Sequence, residues 1–288
     1  MFLQLLINAF SLGSFYALVA LGFSLIFGVT HAFNLAHGEL IVLSGYLAYG
    51  LINYLHLPFL TTFPVCMFLF LVVALLLFQL LRFVRGPFEL NSLVVTFGLA
   101  LVLQNMMLTA FSADYRLIRS HSLPIELLPS RIAVTQTQLM LIVFSLLATA
   151  LVHVLLRRTF LGKALRATIQ DREAARLAGI NVDHMTLIAF GVGGALIGLA
   201  GPLYAQTAYL HPFGGSEATR LAIIISIFAG VGRIRPLLYG GWVLGLVESL
   251  TIYVLGTGWR EFVSALLLIA LLLLMPEGIF SRPAKSPR

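Results

Sequence analysis

Residues 2–29 read FLQLLINAFSLGSFYALVALGFSLIFGV and contain no Asp, Glu, Lys or Arg. A helix that crosses the hydrocarbon core of a bilayer needs about 20 mostly apolar residues, so this stretch is long enough to cross once. A secretory signal begins with a basic region and ends at a small-residue cleavage site, whereas the first Lys or Arg here is Arg82. We therefore interpret residues 2–29 as a retained membrane span.

The composition of the whole chain agrees with this interpretation. Of its 288 residues, 60% are hydrophobic and only 10% are charged, and the mean hydropathy is +1.00. Soluble domains carry about 25% charged residues, so a water-soluble fold of this length could not bury so much apolar surface. The composition predicts a single transmembrane domain that covers residues 1–288 and excludes a separate soluble domain.

Apolar stretches separated by charges or proline recur along the chain. They lie at residues 3–29, 40–54, 59–81, 90–111, 139–156, 185–209, 221–231, 237–255 and 262–275. The second and the seventh are short for a full crossing, and broken or re-entrant backbone is tolerated in a membrane where protein or a wet cavity surrounds it. The sequence predicts an all-α polytopic membrane protein with about eight or nine membrane segments, some short or re-entrant, in one bundle.

The basic residues indicate the orientation of this bundle. They lie in four segments between or after apolar stretches: Arg82 with Arg85, residues 157–176, Arg233 with Arg235, and residues 282–288. Cytoplasmic loops carry an excess of Lys and Arg, so all four segments are expected on the cytoplasmic side of the membrane. The C-terminus is then cytoplasmic and the N-terminus outside. This placement also accounts for the net charge of +7 without a nucleic-acid partner.

The residues that carry catalysis or bind cofactors in other proteins are missing or scattered. There is one cysteine, Cys66, and the seven histidines have no metal-ligand spacing. The motifs G-x-x-x-x-G-K-[ST], H-E-x-x-H and G-x-S-x-G do not occur. We expect no metal, no cofactor and no enzymatic activity, so ATP hydrolysis that drives this protein would have to occur on a partner.

The longest polar connection, residues 157–184, reads RRTFLGKALRATIQDREAARLAGINVDH. Asp171 is a good N-cap for a short helix, and Gly179 stands where that helix would end in a left-handed turn. A helix of about two turns is not stable alone in water, so it needs a partner surface. We predict a docking surface with a smooth face made of three small side chains, Ala174, Ala175 and Ala178.

A family resemblance enters at this connection. Glu173-Ala174-Ala175, followed by Gly179, resembles the E-A-A-x-x-x-G signature of ABC importer permeases. The resemblance implies that residues 157–184 form a cytoplasmic coupling loop that fits a cleft on an ATPase subunit. The charges of Glu173, Arg172 and Arg176 are expected to fix the register of this contact. The longer signature ends in I-x-L-P, whereas residues 189–191 here are Ala-Phe-Gly, which departs from the peptide- and sugar-type subfamilies.

The wider sequence is similar to the permeases of branched-chain amino acid importers. The stretches that carry this similarity are GFSLIFG at 22–28, FNLAHGE at 33–39, DREAARLAGI at 171–180, GVG at 230–232, GG at 240–241 and PEGIF at 276–280. The resemblance implies a permease subunit for branched-chain amino acids or related small solutes. It also implies a second, related permease chain, cytoplasmic ATPase subunits and a periplasmic binding protein as partners.

Polar residues inside the apolar stretches are the candidate substrate contacts. Ionisable groups within a span are costly and usually face a cavity or a partner. We predict a translocation pathway lined by Asn34, His37, Glu39, Gln104 and Glu248. The same side chains could instead hydrogen-bond a turn or hold helices together.

Small residues mark the stretch 185–209. Gly194, Gly198 and Gly201 lie on one helical face, where they let backbones approach closely, and Pro202 is expected to interrupt the helix. These four residues predict either a tight packing face or a hinge.

Two other classes of function remain open at this point. In an ion-gradient-driven carrier, Glu39 or Glu248 would be the coupling site. The third class is a membrane-embedded enzyme or assembly factor. Co-purification separates them, since only the importer permease requires a stable ATPase partner.

Overall fold

A computed structural model describes residues 2–84, 88–118, 125–128, 132–230 and 234–274. Several residues used above for orientation or family motifs lie outside these ranges, namely Arg85, residues 231–233 and residues 275–288. The helices are α1 Phe2–Thr30, α2 His37–Asn53, α3 Phe59–Phe83, α4 Phe88–Phe111, α5 Gln136–Arg158, α6 Phe160–Gln170, α7 Arg172–Leu177, α8 Val182–Thr207, α9 Gly215–Ala229, α10 Ile234–Leu255 and α11 Arg260–Leu274. A short 3-10 turn, Thr257–Trp259, precedes α11.

The predicted all-α class is confirmed, with one small addition. Strands β1 (Ile125–Leu128) and β2 (Ile132–Val134) form an antiparallel hairpin between α4 and α5. This hairpin was not predictable from the sequence, because its strands are only four and three residues long.

Six helices within the described ranges are long and apolar enough to cross a membrane: α1, α3, α4, α5, α8 and α10. The helices α2, α9 and α11 have 17, 15 and 15 residues. At a rise of about 1.5 Å per residue, α9 spans about 22 Å of a hydrocarbon core that is about 30 Å thick. The polytopic membrane protein is confirmed, whereas the count of eight or nine membrane segments, some of them short or re-entrant, is not.

Helices α1 and α8 form the centre of the bundle. In their most apolar windows 89% of α1 and 78% of α8 are buried, against 17% of α4. Helix α10 packs directly on α1 at glycines. A Cβ built on Gly13 would lie 2.6 Å from the carbonyl oxygen of Gly241, and one built on Gly245 would lie 2.5 Å from that of Ala9. Because residue numbers rise along α1 while those of the facing residues in α10 fall, α10 is antiparallel to α1.

Helix α8 is also antiparallel to α1. The ring of Tyr204 lies 6.0 Å from that of Phe15, and near the other end a Cβ built on Gly22 would lie 3.3 Å from the carbonyl oxygen of Gly193. Since α8 and α10 are both antiparallel to α1, they run in the same direction as each other.

The small-residue face of α8 packs against two neighbours. A Cβ on Gly194 would overlap the main chain of α3 at Phe70, and one on Gly198 would overlap it at Cys66. A Cβ on Gly201 would overlap Ser44 of α2. The structure thus places these three glycines at close helix contacts, as expected for a packing face.

The expected interruption of the helix at Pro202 is wrong, because α8 continues through it to Thr207. Proline has no N–H, so the carbonyl of Gly198 loses its usual partner one turn away. The hydroxyl of Ser44 donates to this carbonyl at 3.4 Å. A neighbouring helix therefore supplies the donor that Pro202 lacks, which is one way in which proline is tolerated in membrane helices.

Helix α2 begins beside the middle of α1. After α1 ends at Thr30, residues 31–36 turn back along it, and the Nε2 atom of His37 lies 3.1 Å from the carbonyl oxygen of Val19. Val19 is well inside α1, so the first turn of α2 starts at depth in the bundle and not at its end.

Helix α9 starts at the same place. The N–H of Gly38 donates to the Oγ1 atom of Thr219 at 2.8 Å, and a Cβ on Gly38 would overlap the carbonyl oxygen of Gly215. The N-termini of two short helices, α2 and α9, therefore meet inside the bundle.

From this meeting point the two helices diverge. Farther along α2, Gly45 lies against Leu210 and the carbonyl of Gly201, near the C-terminal end of α8. Farther along α9, the ring of Phe228 lies 3.0 Å from a Cβ built on Gly240, near the start of α10. Because α8 and α10 run in the same direction, α2 and α9 extend toward opposite ends of the bundle.

Candidate functional site

The connection between α5 and α8 is folded as two capped helices, α6 and α7. The Oγ1 atom of Thr159 accepts a hydrogen bond from the N–H of Gly162, and Asp171 Oδ1 accepts from the N–H groups of Glu173 and Ala174, at 2.9 and 3.0 Å. Gly179 has φ +81°. The predicted N-cap at Asp171 and the left-handed turn at Gly179 are both confirmed.

The outward surface of this connection differs from the prediction in one respect. Glu173, Ala174 and Ala178 are exposed, and Leu177 is 91% exposed. Ala175 is buried against its own chain, so the expectation that it shares one outward face with the other alanines is wrong. Residues one apart on a helix point about 100° apart, whereas Ala174 and Ala178, four apart, share a face.

The two arginines of the connection have different surroundings. Arg176 is exposed, whereas Arg172 is partly buried. Burial lowers the pKa of Arg172, and repulsion from Arg176 lowers it further, while the carboxylates of Asp183 and Glu89 act in the opposite direction. The guanidinium remains charged, since arginine has a pKa far above neutrality. Arg172 therefore faces its own chain, and Arg176 is free to face a partner.

A second polar region lies where α2 and α9 meet. Glu39 stands in the first turn of α2, is 3% exposed, and has its carboxyl group over Gly215, the first residue of α9. The N-terminus of a helix carries a partial positive charge, so the carboxyl group of Glu39 is well placed between two such ends. Its Oε2 atom has no hydrogen-bond partner.

Two other predicted pathway residues serve the turn before α2. The Oδ1 atom of Asn34 accepts a hydrogen bond from the N–H of Ala36 at 3.1 Å. His37 is fully buried and contacts Val19 through Nε2, while its Nδ1 atom has no partner. These contacts hold the segment 31–36 in place.

Glu39 lines a cavity of about 330 Å³ between α2, α4, α9 and α11. The polar lining residues are Glu39, Gln104, Ser216, Thr219 and Arg220, and the apolar ones are Leu35, Phe97, Ala100, Leu101, Ile223 and Leu268. The structure thus brings Glu39 and Gln104 together, whereas Asn34 and His37 are not lining residues. The arrangement offers charged and amide groups beside an aliphatic wall.

Glu248 lies in a different cluster, on the other side of α9. It is 2% exposed, and its Oε2 atom accepts hydrogen bonds from Tyr16 Oη at 2.5 Å and Arg260 Nε at 2.8 Å. Its Oε1 atom accepts from Ser264 at 2.7 Å, and Arg260 also pairs with Glu217 at 2.7 Å. Both oxygens of Glu248 are therefore satisfied within the protein, in a network that joins α1, α9, α10 and α11.

A larger opening lies at the end of the bundle where α1 and α5 begin and α8 and α10 end. It has a volume of about 700 Å³ and is lined mostly by uncharged polar side chains, including Gln4, Asn8, Ser11, Gln138 and Gln206. The α6–α7 connection follows the end of α5 and precedes the start of α8. The opening and the connection are therefore at opposite ends of the molecule.

Residues 5–272 match the model of one protein family, described as the permease component of branched-chain amino acid transport systems. The chain belongs to this family. As a permease, it is a multi-pass membrane protein, and the members of the family are transport components and not enzymes.

Relatives of this permease match along nearly its whole length. It is 31% identical to the high-affinity branched-chain amino acid transport system permease protein LivH of Escherichia coli (strain K12), over 98% of this chain and 96% of that protein. It is 27% identical to BraD of Pseudomonas aeruginosa, over the same shares of the two chains. The fructose import permease protein FrcC of Rhizobium meliloti is 33% identical, but only over 44% of this chain and 38% of its own. No solved structure matches this permease.

Two charged residues of the permease site were missed from the sequence. Arg220 stands one residue before the apolar stretch 221–231, and Arg260 stands two residues before the apolar stretch 262–275. The signal that could have found them is a charge within one turn of an apolar run, at Glu217 with Arg220 and at Arg260 with Glu261. In the described ranges no group of three His, Cys, Asp or Glu residues could hold a metal ion.

Proposed function

We propose that this permease is the membrane-spanning subunit of an ABC importer for branched-chain amino acids or related small solutes. Separate cytoplasmic ATPase subunits power it, a periplasmic binding protein delivers the solute, and a second, related permease chain completes the pore. The chain lies in the inner membrane with its C-terminus in the cytoplasm. The observation that carries the proposal is the capped α6–α7 connection, which presents Glu173, Leu177 and Arg176 outward.

The exposed part of α7 suits a groove on a soluble partner. Leu177 is almost fully exposed, and the neighbouring residues Ala174 and Ala178 have only methyl side chains. Transfer of the Leu177 side chain from water into an apolar groove on the partner is favourable, and the two small neighbours allow the groove to approach closely. Glu173 and Arg176 on the same short helix add charges that fix the orientation of the partner. Residues Glu173, Ala174, Gly179 and Arg176 then contact the ATPase, while Arg172 and Ala175 hold α7 to the permease.

The packing of the connection supports transmission of force into the bundle. A Cβ on Gly162 of α6 would overlap the main chain of α5 at Leu155 and Leu156, so α6 lies tightly against the end of α5. Asn181 caps α8 directly after α7, accepting from the N–H of His184 at 3.0 Å. Helix α8 in turn contacts α2 at Gly201 and Ser44. A displacement of α7 therefore acts through rigid helices on α2, which carries Glu39.

The two ends of the molecule suit the two kinds of partner. The opening of about 700 Å³ lies at the end opposite the α6–α7 connection. With that connection in the cytoplasm, the opening faces the periplasm, where its amide and hydroxyl groups can receive a solute. The cavity at Glu39 and Gln104 lies deeper along the proposed pathway, and the contacts of Glu248 favour a structural role for that residue.

The alternative is an ion-gradient-driven carrier in which Glu39 binds the coupling ion. The observation that favours it is the buried Oε2 atom of Glu39 without a hydrogen-bond partner. Such a carrier would accumulate solute in proteoliposomes without any ATPase. Uptake that follows an imposed ion gradient, and not enclosed ATP, would support this alternative over the importer.

The importer is tested at two glycines that both have a positive φ. Gly179 and Gly256 have φ +81° and +94°, and a Cβ on either meets nothing within 4 Å. A valine is strained at either position, and Gly256→Val is the stricter control, because a ψ of 169° places Gly256 in a region that almost only glycine adopts. We expect Gly179→Val to abolish co-purification of the ATPase subunits and ATP-driven uptake, while Gly256→Val retains both. Equal behaviour of the two variants would contradict a coupling role for the connection.

A further inference from the structure

The cavity beside Glu39 is lined by a buried carboxyl group and by a half-buried guanidinium group, each with a buried atom that has no hydrogen-bond partner. The Oε2 atom of Glu39 and the Nε atom of Arg220 are both buried and without a hydrogen-bond partner, and both residues line the cavity. Arg220 has one ion pair, with Glu261, whose closest N–O distance is 3.8 Å. That contact is long and leaves Nε uncommitted.

The neighbouring cluster at Glu248 contrasts with this arrangement. At Glu248 both carboxyl oxygens accept hydrogen bonds of 2.5–2.8 Å from Tyr16, Arg260 and Ser264. Buried charges that serve only the fold are satisfied in this way, because an unpaired buried charge is strongly destabilising. Free atoms on one acidic and one basic side chain, both lining one cavity, instead suit a ligand that carries both signs.

The remaining walls suit an aliphatic group. Leu35, Leu101, Ile223 and Leu268 line the cavity with Phe97. Its volume of about 330 Å³ is at the lower end of the range for small-molecule sites, about 300–1,000 Å³. Gln104, Ser216 and Thr219 add polar groups that can fix the orientation of a bound molecule.

We propose that this cavity is a binding site for the zwitterion of an aliphatic amino acid during its passage. Glu39 accepts hydrogen bonds from the ammonium group, and Arg220 donates hydrogen bonds to the carboxylate. The apolar wall of the cavity contacts the aliphatic side chain of the bound amino acid. The inference rests on the importer function proposed above and deepens it, because it assigns substrate contacts within the membrane domain. The long ion pair with Glu261 is made by another nitrogen of Arg220, so Nε can donate to the carboxylate whether or not that ion pair persists.

The site is tested by protection of a cysteine introduced at its rim. Ser216 lines the cavity and is exposed, whereas Cys66 is buried, so Ser216→Cys supplies one reactive thiol and the parent chain is the labelling control. Maleimide labelling is measured on the permease assembled with its ATPase and second permease subunits. The three probes, each titrated over the same range of concentrations, are leucine, leucinamide, which lacks the carboxylate, and 4-methylpentanoate, which lacks the ammonium group.

We expect leucine to slow labelling at a concentration more than about tenfold below that of either analogue, since each analogue lacks the group that would bind one of the two side chains, Glu39 or Arg220. In Glu39→Gln the preference for leucine over 4-methylpentanoate disappears, and in Arg220→Gln the preference over leucinamide disappears. A merely structural role would not produce this reciprocal loss of discrimination. The exposed residues Glu89 and Arg235 provide controls, and Glu89→Gln and Arg235→Gln should retain both preferences.

Equal protection by all three probes, or none by leucine, would overturn the zwitterion site. The same preparations separate this failure from failure of the importer function. If ATPase subunits co-purify and uptake requires ATP while discrimination is absent, only the site is wrong. If no ATPase assembles with the unmodified permease, the proposed function is wrong.

Discussion

Gly38 of α2 and Gly215 of α9 pack main chain against main chain, so that a Cβ built on Gly38 would fall less than 3.0 Å from the Gly215 carbonyl oxygen. The contact is fixed by a hydrogen bond from the N–H of Gly38 to Thr219. It sets the position of Glu39, the next residue, over the start of α9. The geometry of the cavity therefore depends on two residues that do not line it.

We expect Gly38→Ala to destabilise the protein by about 1–3 kcal/mol, because an added methyl group must displace the backbone of α9. The matched variant is Gly98→Ala in α4, where a Cβ meets nothing within 4 Å. Gly98→Ala should be neutral or stabilising by about 0.5–1 kcal/mol, since alanine favours helices over glycine. Thermal unfolding of the purified proteins in detergent measures the difference, and similar values for the two variants would refute the close contact.

A second prediction concerns Ser44 and Pro202. Ser44→Ala removes the donor to the Gly198 carbonyl and should cost about 1–3 kcal/mol, the price of a buried unsatisfied polar group. In a Pro202→Ala background, the new N–H can bond to that carbonyl, so the same serine change should cost less. A double-mutant cycle on thermal stability tests this, and strict additivity would exclude the compensation.

The Glu248 network should behave as a structural unit. Arg260→Gln leaves Glu248 and Glu217 without their common cation and should destabilise the fold by about 3–5 kcal/mol. Arg235→Gln, a change at an exposed arginine, should stay within about 0.5 kcal/mol of the parent. Unfolding midpoints in denaturant give both values. A stable Arg260→Gln protein that has lost only transport would contradict the structural role of Glu248 and support its predicted role in the translocation pathway.

The cap of α7 provides a further test of coupling. Asp171→Ala removes the acceptor for two N–H groups and should weaken this short helix by about 0.5–2 kcal/mol, whereas Asp171→Asn retains an acceptor. We expect faster amide exchange in α7 and weaker ATPase binding for the alanine variant alone, with unchanged global stability. ATPase binding that is unaffected by Asp171→Ala would argue against a preformed docking helix.

Local chemistry was readable from the sequence, as the α6–α7 connection demonstrates. The cap at Asp171 and the turn at Gly179 follow from residue types and a spacing of a few positions. The buried position of Ala175 was missed because the sequence does not say which side of such a short helix faces its own chain. Pro202 was misjudged because its compensation comes from Ser44, a residue on a different helix.

Long-range partners were beyond the sequence. Glu39 and Gln104 were singled out separately, but only the packing of α2 against α4 and α9 places them in one cavity with Arg220. Likewise Tyr16 and Glu248 are 232 positions apart, and no periodic pattern relates them. Polar residues in apolar stretches can be recognised as costly, but whether a partner satisfies them is decided by the fold.

The short helices α2 and α9 also constrain how the protein is made. Each carries buried or half-buried charges, Glu39 in one and Glu217 with Arg220 in the other, and neither is long enough to partition alone into lipid. We expect the insertion machinery to release α2 together with α1, and α9 together with α8, as hairpins. The ribosome must therefore have synthesised about three quarters of the chain before Gly215 can reach Gly38.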